Sequence, residues 1–552
     1  MAVAAVLVLS AVGMPGIARA NAMATARYTV MAADGVSSAD AAAAVTELGG
    51  RILSSNSAVG MFSVVAPASG FVEAAATSPR LTGAARERSI GYAPNKPAPI
   101  EEEASDKGTT HADHDSRKGA GLDPLDDKLW GLRMVQADRA RSVEPGDRRV
   151  TVGVLDTGID ASNPDLAPTF DRSLSRNFAP DKIDIDGPCE VPSCLDPVGT
   201  DDNGHGTHVA GTIGAAADGF GISGIAPGVS LVELKGGQDS GFFFLEPTVD
   251  ALTYAGDAGI DVVNMSFYVD PWLYNCTANP ADPPAAQAEQ RTVITAMFRA
   301  LTYAHAKGVT LVAALGNDHD DKDHPRADTS SPDYPTTAAP YPRPVDPGSC
   351  WDLPVEGPFV IGVSALGPSG KKSDFSNYGS TRVNVSAPGG YLRDYVGTDR
   401  FSTPANEILS TYPKTVLQKA GKVDADGNVV AGFENSVFRQ CRDGTCGYYT
   451  YLQGTSMASP QAAGVAALIV SRFGRPDPAH HGGLTLDPRT TERILDASAS
   501  AHPCPTPRTV TYTAEGRSAE FTATCTGPTR FNSFYGYGVV DAYAAVTYHG
   551  SL

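Results

Sequence analysis

The sequence is short of positive charge and, beyond its first residues, of long apolar runs. Only 43 of its 552 residues are lysine or arginine, against 62 aspartates and glutamates, and the formal net charge is −19. A negative field of this strength disfavours nucleic acid and anionic membrane surfaces as partners. Because no uncharged apolar run of about 18 residues follows the N-terminal segment, no later membrane span is expected.

The N-terminal segment lacks a basic residue ahead of its apolar stretch but otherwise has the pattern of a secretory signal. Small and apolar residues continue to Ile17, and Ala18, Ala20 and Ala22 are spaced as small-x-small cleavage sites. The stretch is short for a membrane-spanning helix. We therefore expect residues 1–22 to be a cleaved signal peptide and the protein to be secreted and extracellular, with a membrane anchor as the alternative.

Cysteine is scarce, but its count is even and its spacing is informative. Three pairs are close in sequence and two residues remain: Cys189/Cys194, Cys441/Cys446 and Cys504/Cys525, with Cys276 and Cys350 left over. An even count in an exported chain favours disulfide bonds over buried thiols. Closely spaced CxxC-like pairs, which a zinc site needs, do not occur, so a metal is the least favoured reading.

The chain has no internal repeats, and its 42% apolar content allows a large buried core. Its length suggests roughly two to four domains. Residues 23–92 are predicted to form a small α+β domain with a helical layer on one sheet. The expected strands lie near 27–31, 58–66 and 88–92, and the expected helices near 38–48 and 70–77.

Residues 93–122 differ in character from both flanks. They contain several prolines, the run Glu101–Glu103 and a polar stretch with His111 and Asp113, without apolar periodicity. We predict a linker, and interpret its His/Asp cluster as a solvated segment rather than a metal site.

Residues 123–552 alternate strand-like and helix-like segments, which predicts a mostly parallel sheet with helices on both faces. The expected strands lie near 150–155, 229–234, 260–266, 309–315 and 359–365, and the expected helices near 206–217, 248–258, 292–306 and 456–473. Four segments rich in turn residues are predicted as surface loops: 180–199, 270–290, 318–350 and 391–450.

Three segments of this region hold residues suited to nucleophilic catalysis. Asp156 follows a buried strand, His205 lies in Asn203-Gly-His-Gly-Thr-His208, and Ser456 lies in Gly454-Thr-Ser-Met. Ligands of open α/β sheets bind at the carboxyl ends of the strands, where all three segments are expected. A serine hydroxyl needs a base within hydrogen-bond reach, which His205 can supply, and a buried carboxylate such as Asp156 fixes the tautomer of that base.

Each of these residues also has a structural explanation when taken alone. Asp156 suits a turn after a strand, His205 and His208 suit a buried core, and Ser456 suits a helix cap. Independent structural needs would not produce three such segments in this order, so the combination favours catalysis.

The segments Asp156-Thr-Gly, His205-Gly-Thr-His-Val-Ala-Gly and Gly454-Thr-Ser-Met-Ala-Ser-Pro resemble the signatures of the subtilisin-like serine proteases, in the chain order of that family. The resemblance covers about 125–552. It implies a secreted serine endopeptidase with a catalytic domain at 123–552, an inhibitory propeptide at 23–92 and a maturation site in the linker. The implied partners are protein or peptide substrates and the chain's own propeptide, with a monomeric enzyme.

The resemblance extends to residues beside the nucleophile. It implies that Asn317, at the end of Ala313-Ala-Leu-Gly316-Asn317, donates to the oxyanion, although a turn asparagine would also suit that place. It implies that the segment around Ser266, with Phe267 and Gly316, binds extended substrate as an added strand. Here the chain departs from the family, because Tyr268 and Val269 replace a pair of glycines and can narrow the first specificity pocket. Gln453 replaces a common asparagine.

The resemblance implies no cofactor for the chemistry and a structural calcium ion as an option. Asn163-Pro-Asp165 resembles the family's calcium-binding segment, with Asp165 as the ligand and a plain turn aspartate as the alternative. Two alternative functions are a catalytically silent binding protein on the same scaffold and an esterase or lipase. The second needs a G-x-S-x-G elbow and the order Ser, Asp, His, and neither is present.

Overall fold

The computed structural model describes residues 24–87, 123–333, 339–480 and 482–550. The predicted signal peptide at 1–22, the predicted linker at 93–122 and the strand expected near 88–92 lie outside the described residues. No described helix has both the length and the apolar character needed to cross a bilayer.

The N-terminal unit is a small α+β domain, as expected. Its elements are β1 (Thr25–Ala32), α1 (Ser38–Glu47), β2 (Arg51–Asn56), β3 (Met61–Pro67), α2 (Phe71–Thr77) and β4 (Leu81–Arg86). The four strands form one antiparallel sheet in the order β2-β3-β1-β4. Strand β2 was not predicted, because most of its side chains are exposed and it therefore has no apolar pattern.

The large unit is built on a sheet of seven parallel strands, which confirms the subtilisin-like α/β prediction. In space these strands run β13-β12-β10-β8-β5-β7-β6. They are β5 (Thr151–Asp156), β6 (Arg176–Asn177), β7 (Ser230–Lys235), β8 (Val262–Met265), β10 (Thr310–Ala314), β12 (Val360–Leu366) and β13 (Val385–Pro388). The smaller sheets contain β9 (Asn275–Cys276), β11 (Cys350–Trp351), β14 (Ile408–Thr411), β15 (Val437–Arg442), β16 (Thr445–Leu452), β17 (Arg475–Pro476), β18 (Leu484–Thr485), β19 (Thr509–Val510) and β20 (Ala523–Thr524).

Helices cover both faces of the central sheet. They are α3 (Trp130–Met134), α4 (Ala137–Ala140), α5 (Ile183–Asp186), α6 (His205–Gly214), α7 (Leu245–Ala258), α8 (Pro284–Ala306), α9 (Lys414–Lys419), α10 (Thr455–Phe473), α11 (Pro488–Ser498) and α12 (Ala542–Val546). Along β5, Val152 and Val154 pack in the core with α6 and α10, whereas Leu155 packs in the core with α7 and α8. This alternation fixes which helices lie on which face.

The inserts are less irregular than predicted. The expectation of a surface loop over 391–450 is wrong, because β14, β15 and β16 form a three-stranded antiparallel sheet there, and β14 is fully buried. The expectation for 270–290 is wrong in part, because this segment contains β9 and the first turns of α8. The first turns of α8 are polar and rich in alanine, so they have little apolar periodicity. The predicted helix therefore starts at 292, whereas α8 begins at Pro284.

All eight cysteines are paired, which confirms the disulfide prediction. The bonds are Cys189–Cys194, Cys276–Cys350, Cys441–Cys446 and Cys504–Cys525. The long-range bond joins β9 to β11, two strands that also pair with each other.

Candidate active site

Asp156 and His205 form a buried pair at the carboxyl edge of the sheet. Asp156 is the last residue of β5, His205 is the first residue of α6, and both are fully buried. The Asp156 Oδ1 atom lies 2.7 Å from Nδ1 of His205 and also accepts a hydrogen bond from the Thr157 amide at 2.8 Å. Because the carboxylate accepts at Nδ1, that nitrogen holds the proton and Nε2 is the nitrogen that can act as a base.

The glycines of the two motifs let β5 and α6 approach closely. A Cβ on Gly206 would lie 2.2 Å from the Gly158 carbonyl oxygen, so no larger residue fits after His205. Gly158 has a φ of +133°, and a Cβ there would lie 2.3 Å from the Thr200 carbonyl oxygen. The recurring glycines of these segments are therefore a requirement of the backbone contact that joins Asp156 to His205.

The second histidine of the motif, His208, belongs to the core. It is fully buried, and its Nε2 lies 3.0 Å from the Ile408 carbonyl oxygen and 3.2 Å from the Thr450 carbonyl oxygen. Two carbonyl acceptors require Nε2 to be the protonated nitrogen. Burial lowers the pKa of His208 to about 3, so it stays neutral and links α6 to β14 and β16.

Ser456 lies in the first turn of α10, on the side of the sheet where α6 also begins. The helix begins at Thr455, and Ser456 is 7% exposed. Its hydroxyl donates to the Ser266 carbonyl at 3.2 Å. The amides of a first helical turn have no partner within the helix, so the Ser456 amide is suited to stabilise negative charge beside its own hydroxyl.

The side chain of Asn317 is fixed by Thr455. Its Oδ1 accepts from the Thr455 amide at 2.8 Å and from the Thr455 hydroxyl at 2.9 Å. The amide nitrogen of Asn317 therefore points away from Thr455, and it lies 3.6 Å from the place that a Cβ on Gly454 would take. This geometry directs a second donor toward the start of α10, and the role of Asn317 at the oxyanion stays a prediction.

The predicted substrate residues line one narrow cavity. Ser266, Phe267 and Gly316 share a space of about 40 Å³ with Asn317 and Ser456. Phe267 is stacked on Phe243 with ring centroids 4.0 Å apart, which closes one wall.

Tyr268, one of the two residues that replace the family's glycine pair, lines the same cavity. So do three carboxylates, those of Asp270, Asp318 and Asp352. The use of this cavity as the first specificity pocket, and its narrowing, stay predictions.

A wider cleft adjoins this narrow cavity at Asn317. It has a volume of about 700 Å³ and shares Leu273, Asn317 and Asp318 with the narrow cavity. His319 and Phe521 lie along it with their rings stacked 3.8 Å apart. The narrow cavity, which Ser456 lines, and the wide cleft therefore adjoin each other at Asn317.

Asp165 does not line either cavity; it is buried and contacts Tyr449 of β16. Its Oδ2 accepts from the Ile222 amide and from the Tyr449 hydroxyl, both at 2.9 Å, and burial raises the pKa of Asp165 to about 8. Within the described ranges, no set of three acidic or histidine ligands forms around it. The other oxygen of Asp165, Oδ1, is buried without a hydrogen-bond partner, and the role of Asp165 as a calcium ligand stays a prediction.

Two buried acidic residues support the site and were not singled out from the sequence. Asp201 accepts from the Thr157 hydroxyl at 3.0 Å and from the Gly204 amide at 2.9 Å, so it ties the segment after Asp156 to the segment before His205. Glu233 accepts from the amides of Ile159 and Gly199, both at 3.0 Å. The roles of both residues depend on contacts between segments distant in sequence. Only Asp201, which lies four residues before His205, could have been suspected from the sequence.

A parallel sheet that holds an aspartate, a histidine and a serine at one edge is the architecture of a serine hydrolase. The family model described as Peptidase_S8, Subtilase family, matches residues 147–538, which is most of the chain. The chain belongs to the subtilase family of serine peptidases.

Curated relatives agree with this assignment. Subtilisin DY from Bacillus licheniformis is 28% identical over 344 residues, which cover 62% of this chain and 85% of that protein. Fervidolysin from Fervidobacterium pennivorans is 29% identical over 376 residues, which cover 64% of this chain and 39% of that larger protein.

Solved structures show the same fold. The epidermin leader peptide processing serine protease from Staphylococcus aureus has a TM-score of 0.61 at 18% identity, with 96% of this chain and 99% of that chain covered. Fervidolysin has a TM-score of 0.55 at 21% identity, with 97% of this chain and 62% of that chain covered. At these identities the likeness concerns the fold alone.

Proposed function

We propose that this chain is a secreted serine endopeptidase made as a zymogen, with Ser456 as its nucleophile. The observation that carries the proposal is the buried Asp156–His205 pair at 2.7 Å, on the side of the sheet where Ser456 begins α10. Membership of the subtilase family supports the reaction, and no cofactor is needed for it.

The chemistry divides among four residues. Nε2 of His205 takes the hydroxyl proton of Ser456 as the oxygen attacks the scissile carbonyl, and Asp156 stabilises the imidazolium that forms. The Asn317 amide and the Ser456 N–H hold the oxyanion of the tetrahedral intermediate. His205 then protonates the leaving amine, and water hydrolyses the acyl-enzyme by the same steps in reverse.

To transfer its proton to His205, the Ser456 hydroxyl must rotate away from its hydrogen bond with the Ser266 carbonyl. In the structure it donates to the carbonyl of Ser266, a residue of the expected substrate-binding segment. A substrate strand that pairs with this segment competes for that carbonyl, so binding favours the rotamer that faces His205. Catalytic hydrogen bonds often tighten in this way when substrate binds.

The N-terminal domain is proposed to act as the propeptide. It packs on α7 and α8, with Met31, Val59 and Met61 in the same apolar cluster as Val293 and Met297. A domain that shares a core with the enzyme can stabilise it during folding and stay bound after cleavage.

Polar contacts fix the register of this interface. Arg299 of α8 donates to the carbonyl oxygens of Ala32 at 2.9 Å and Val59 at 3.0 Å. Asn56 donates to Asp250 of α7 at 2.8 Å. We propose that Ser456 cleaves the chain within or near the linker at 93–122.

Activity-based labelling tests the proposal. A fluorophosphonate probe should form an adduct at Ser456 in the purified, processed protein, and mass spectrometry of the tryptic peptide locates it. The matched control is Ser142→Ala, since Ser142 is exposed and should leave labelling intact. Labelling at another residue, or no labelling in a preparation that hydrolyses casein, would contradict the assignment of Ser456. A preparation that neither reacts with the probe nor hydrolyses casein would favour the silent binding protein.

A further inference from the structure

The narrow cavity beside Ser456 combines apolar and acidic walls. Phe243 and Phe267, whose stacked rings have centroids 4.0 Å apart, form the apolar part. Three aspartates line the same space: Asp270, Asp318 and Asp352. Within the described residues, these three carboxylates do not come close enough together to share one metal ion. Their spacing therefore suits a side chain that enters among them better than a single ion.

Asp270 has one carboxylate oxygen without a partner. The residue is only 6% exposed, and its Oδ1 is buried and accepts no hydrogen bond. Its Oδ2 accepts from the Phe243 amide at 2.6 Å, and the Asp270 amide donates to the Phe243 carbonyl at 2.8 Å. These two contacts fix the carboxylate, so Oδ1 is the oxygen that remains for a guest. A buried carboxylate oxygen without a donor is costly, and a bound cation that donates to it removes that cost.

A buried lysine, Lys322, lies at this acidic wall and is already engaged. Its Nζ lies 2.7 Å from Asp352 Oδ2 and donates to the Tyr274 hydroxyl at 2.8 Å, and all three side chains are buried. Although burial lowers the pKa of Lys322, Asp352 and the other acidic neighbours raise it well above its usual value. Lys322 therefore stays charged and neutralises Asp352, which leaves the charges of Asp270 and Asp318 to be balanced.

Among the described residues, no lysine or arginine forms an ion pair with Asp270 or Asp318. Arg326 donates to the backbone carbonyl of Asp318 at 2.5 Å, but its ion pair is with Asp320. The Asp318 carboxylate accepts only a weak hydrogen bond, from the Asn377 side-chain amide at 3.3 Å. Burial raises the pKa of Asp270 and of Asp318 above the ordinary value of an aspartate. A positive charge in the cavity would lower both pKa values and favour the ionised carboxylates.

The cavity also reaches the reacting atoms. Ser456 and Asn317 line it, as does Ser266 of the expected substrate-binding segment. In the proposed reaction, the scissile carbonyl lies between the Ser456 hydroxyl and the donors to the oxyanion. The side chain on the α-carbon next to that carbonyl therefore begins beside the cavity. The residue that the cavity can select is the one that supplies the scissile carbonyl.

We propose that Asp270 and Asp318 make the enzyme specific for lysine or arginine at this substrate position, an inference that rests on the proposed function. A long basic side chain has an apolar stem, which packs on Phe243 and Phe267, and a terminal cation, which donates to the two carboxylates. A neutral chain of the same length would bury its stem but leave Oδ1 of Asp270 without a donor. Sites with unpaired buried polar groups reject such analogues strongly.

Peptide anilides that differ only in the residue before the scissile bond test this inference on the purified, processed protein. The residues are lysine, arginine, phenylalanine and norleucine, which has an unbranched aliphatic side chain without the ammonium group. We expect kcat/KM to be at least about tenfold higher for lysine or arginine than for norleucine, because the neutral chain leaves buried carboxylates unpaired. A norleucine or phenylalanine substrate that is cleaved as well as both basic substrates would overturn the proposal.

Two variants assign the preference to these carboxylates. Asp270→Asn removes the charge and keeps an oxygen that can accept from the Phe243 amide, and Asp318→Asn makes the same change at a half-buried position. Each should lower the ratio of kcat/KM for lysine over norleucine by at least about tenfold, because one partner of a buried charge pair is lost. Asp399→Asn, at an exposed carboxylate outside the cavity, should keep the parent ratio. The parent ratio in both cavity variants would overturn the proposal.

Labelling of Ser456 by the fluorophosphonate probe counts the folded, active enzyme in each preparation, so a folding defect is not read as a change in specificity. A protein that is labelled and prefers norleucine or phenylalanine would overturn the specificity and leave the proposed peptidase standing. A protein that is not labelled and cleaves none of the anilides would overturn both.

Discussion

Among single residues, Thr455 has a role that its motif does not reveal. Its amide and hydroxyl hold Oδ1 of Asn317, and the hydroxyl also accepts from the Gly316 amide at 3.0 Å. Asn317 and Ser456 could be predicted because their segments resemble known motifs. The hydrogen bonds that orient Asn317 could not, because they join residues 138 positions apart.

Asn317→Ala should lower kcat by about 10²–10³ with little change in KM, since the amide acts on the oxyanion and not on the bound substrate; this magnitude is the one established for subtilisin itself. Thr455→Val, which keeps the shape and removes the hydroxyl, should give a smaller loss in kcat. Steady-state kinetics on a peptide anilide measures both. An Asn317→Ala enzyme whose defect lies in KM alone would contradict the oxyanion assignment.

Glu233 should make stability depend on pH. Burial raises the pKa of Glu233 to about 8, so between its ordinary value near 4.5 and about 8 the folded state binds more protons than the unfolded chain. The free energy of unfolding should therefore fall as pH rises through this window, by up to about 1.4 kcal/mol per pH unit from this residue. Urea unfolding of the Ser456→Ala chain at several pH values measures it.

The matched variants are Glu233→Gln and the exposed Glu520→Gln. The first removes the titrating group, so its free energy of unfolding should fall less steeply between pH 5 and 8. The second should follow the parent. Equal slopes in all three proteins would show that Glu233 does not titrate in this window.

At the scale of elements, the central strands could be predicted closely and the inserts could not. The segments β5, β7, β10 and β12 are short, apolar and buried on both faces, so each lies within one residue of its predicted place. The three-stranded sheet that begins within 391–450 was missed because a long polar segment separates β14 from β15 and because β15 is largely exposed.

The helix α8 should control the affinity of the N-terminal domain. Arg299→Ala removes charge-assisted hydrogen bonds to the carbonyls of Ala32 and Val59, each worth about 1.5–3 kcal/mol. We expect the separately made N-terminal domain to inhibit the processed enzyme at least about tenfold less tightly. The control is Arg291→Ala on the same helix, because Arg291 donates to Thr277 within the large domain. Equal inhibition of both variants would show that the interface lies elsewhere.

At the scale of the whole molecule, the fold class followed from the alternation of strands and helices, but the strand order did not. The order of the seven strands depends on pairings between distant segments, such as β5 between β7 and β8, which no local pattern encodes. The same holds for the contact of the N-terminal domain with α8. These features place Asp156, His205 and Ser456 at one edge and place a candidate propeptide on the enzyme.

The most direct test of the account is the N-terminal sequence and intact mass of the secreted protein, compared between the parent and Ser456→Ala. We predict that the parent matures by cleavage within 93–122 and hydrolyses casein. Ser456→Ala should lose only residues 1–22, keep its N-terminal domain and be inactive. A Ser456→Ala chain that is processed to the same mature form in a purified preparation, or that retains casein hydrolysis, would contradict the claim that Ser456 is the nucleophile of a self-processing peptidase.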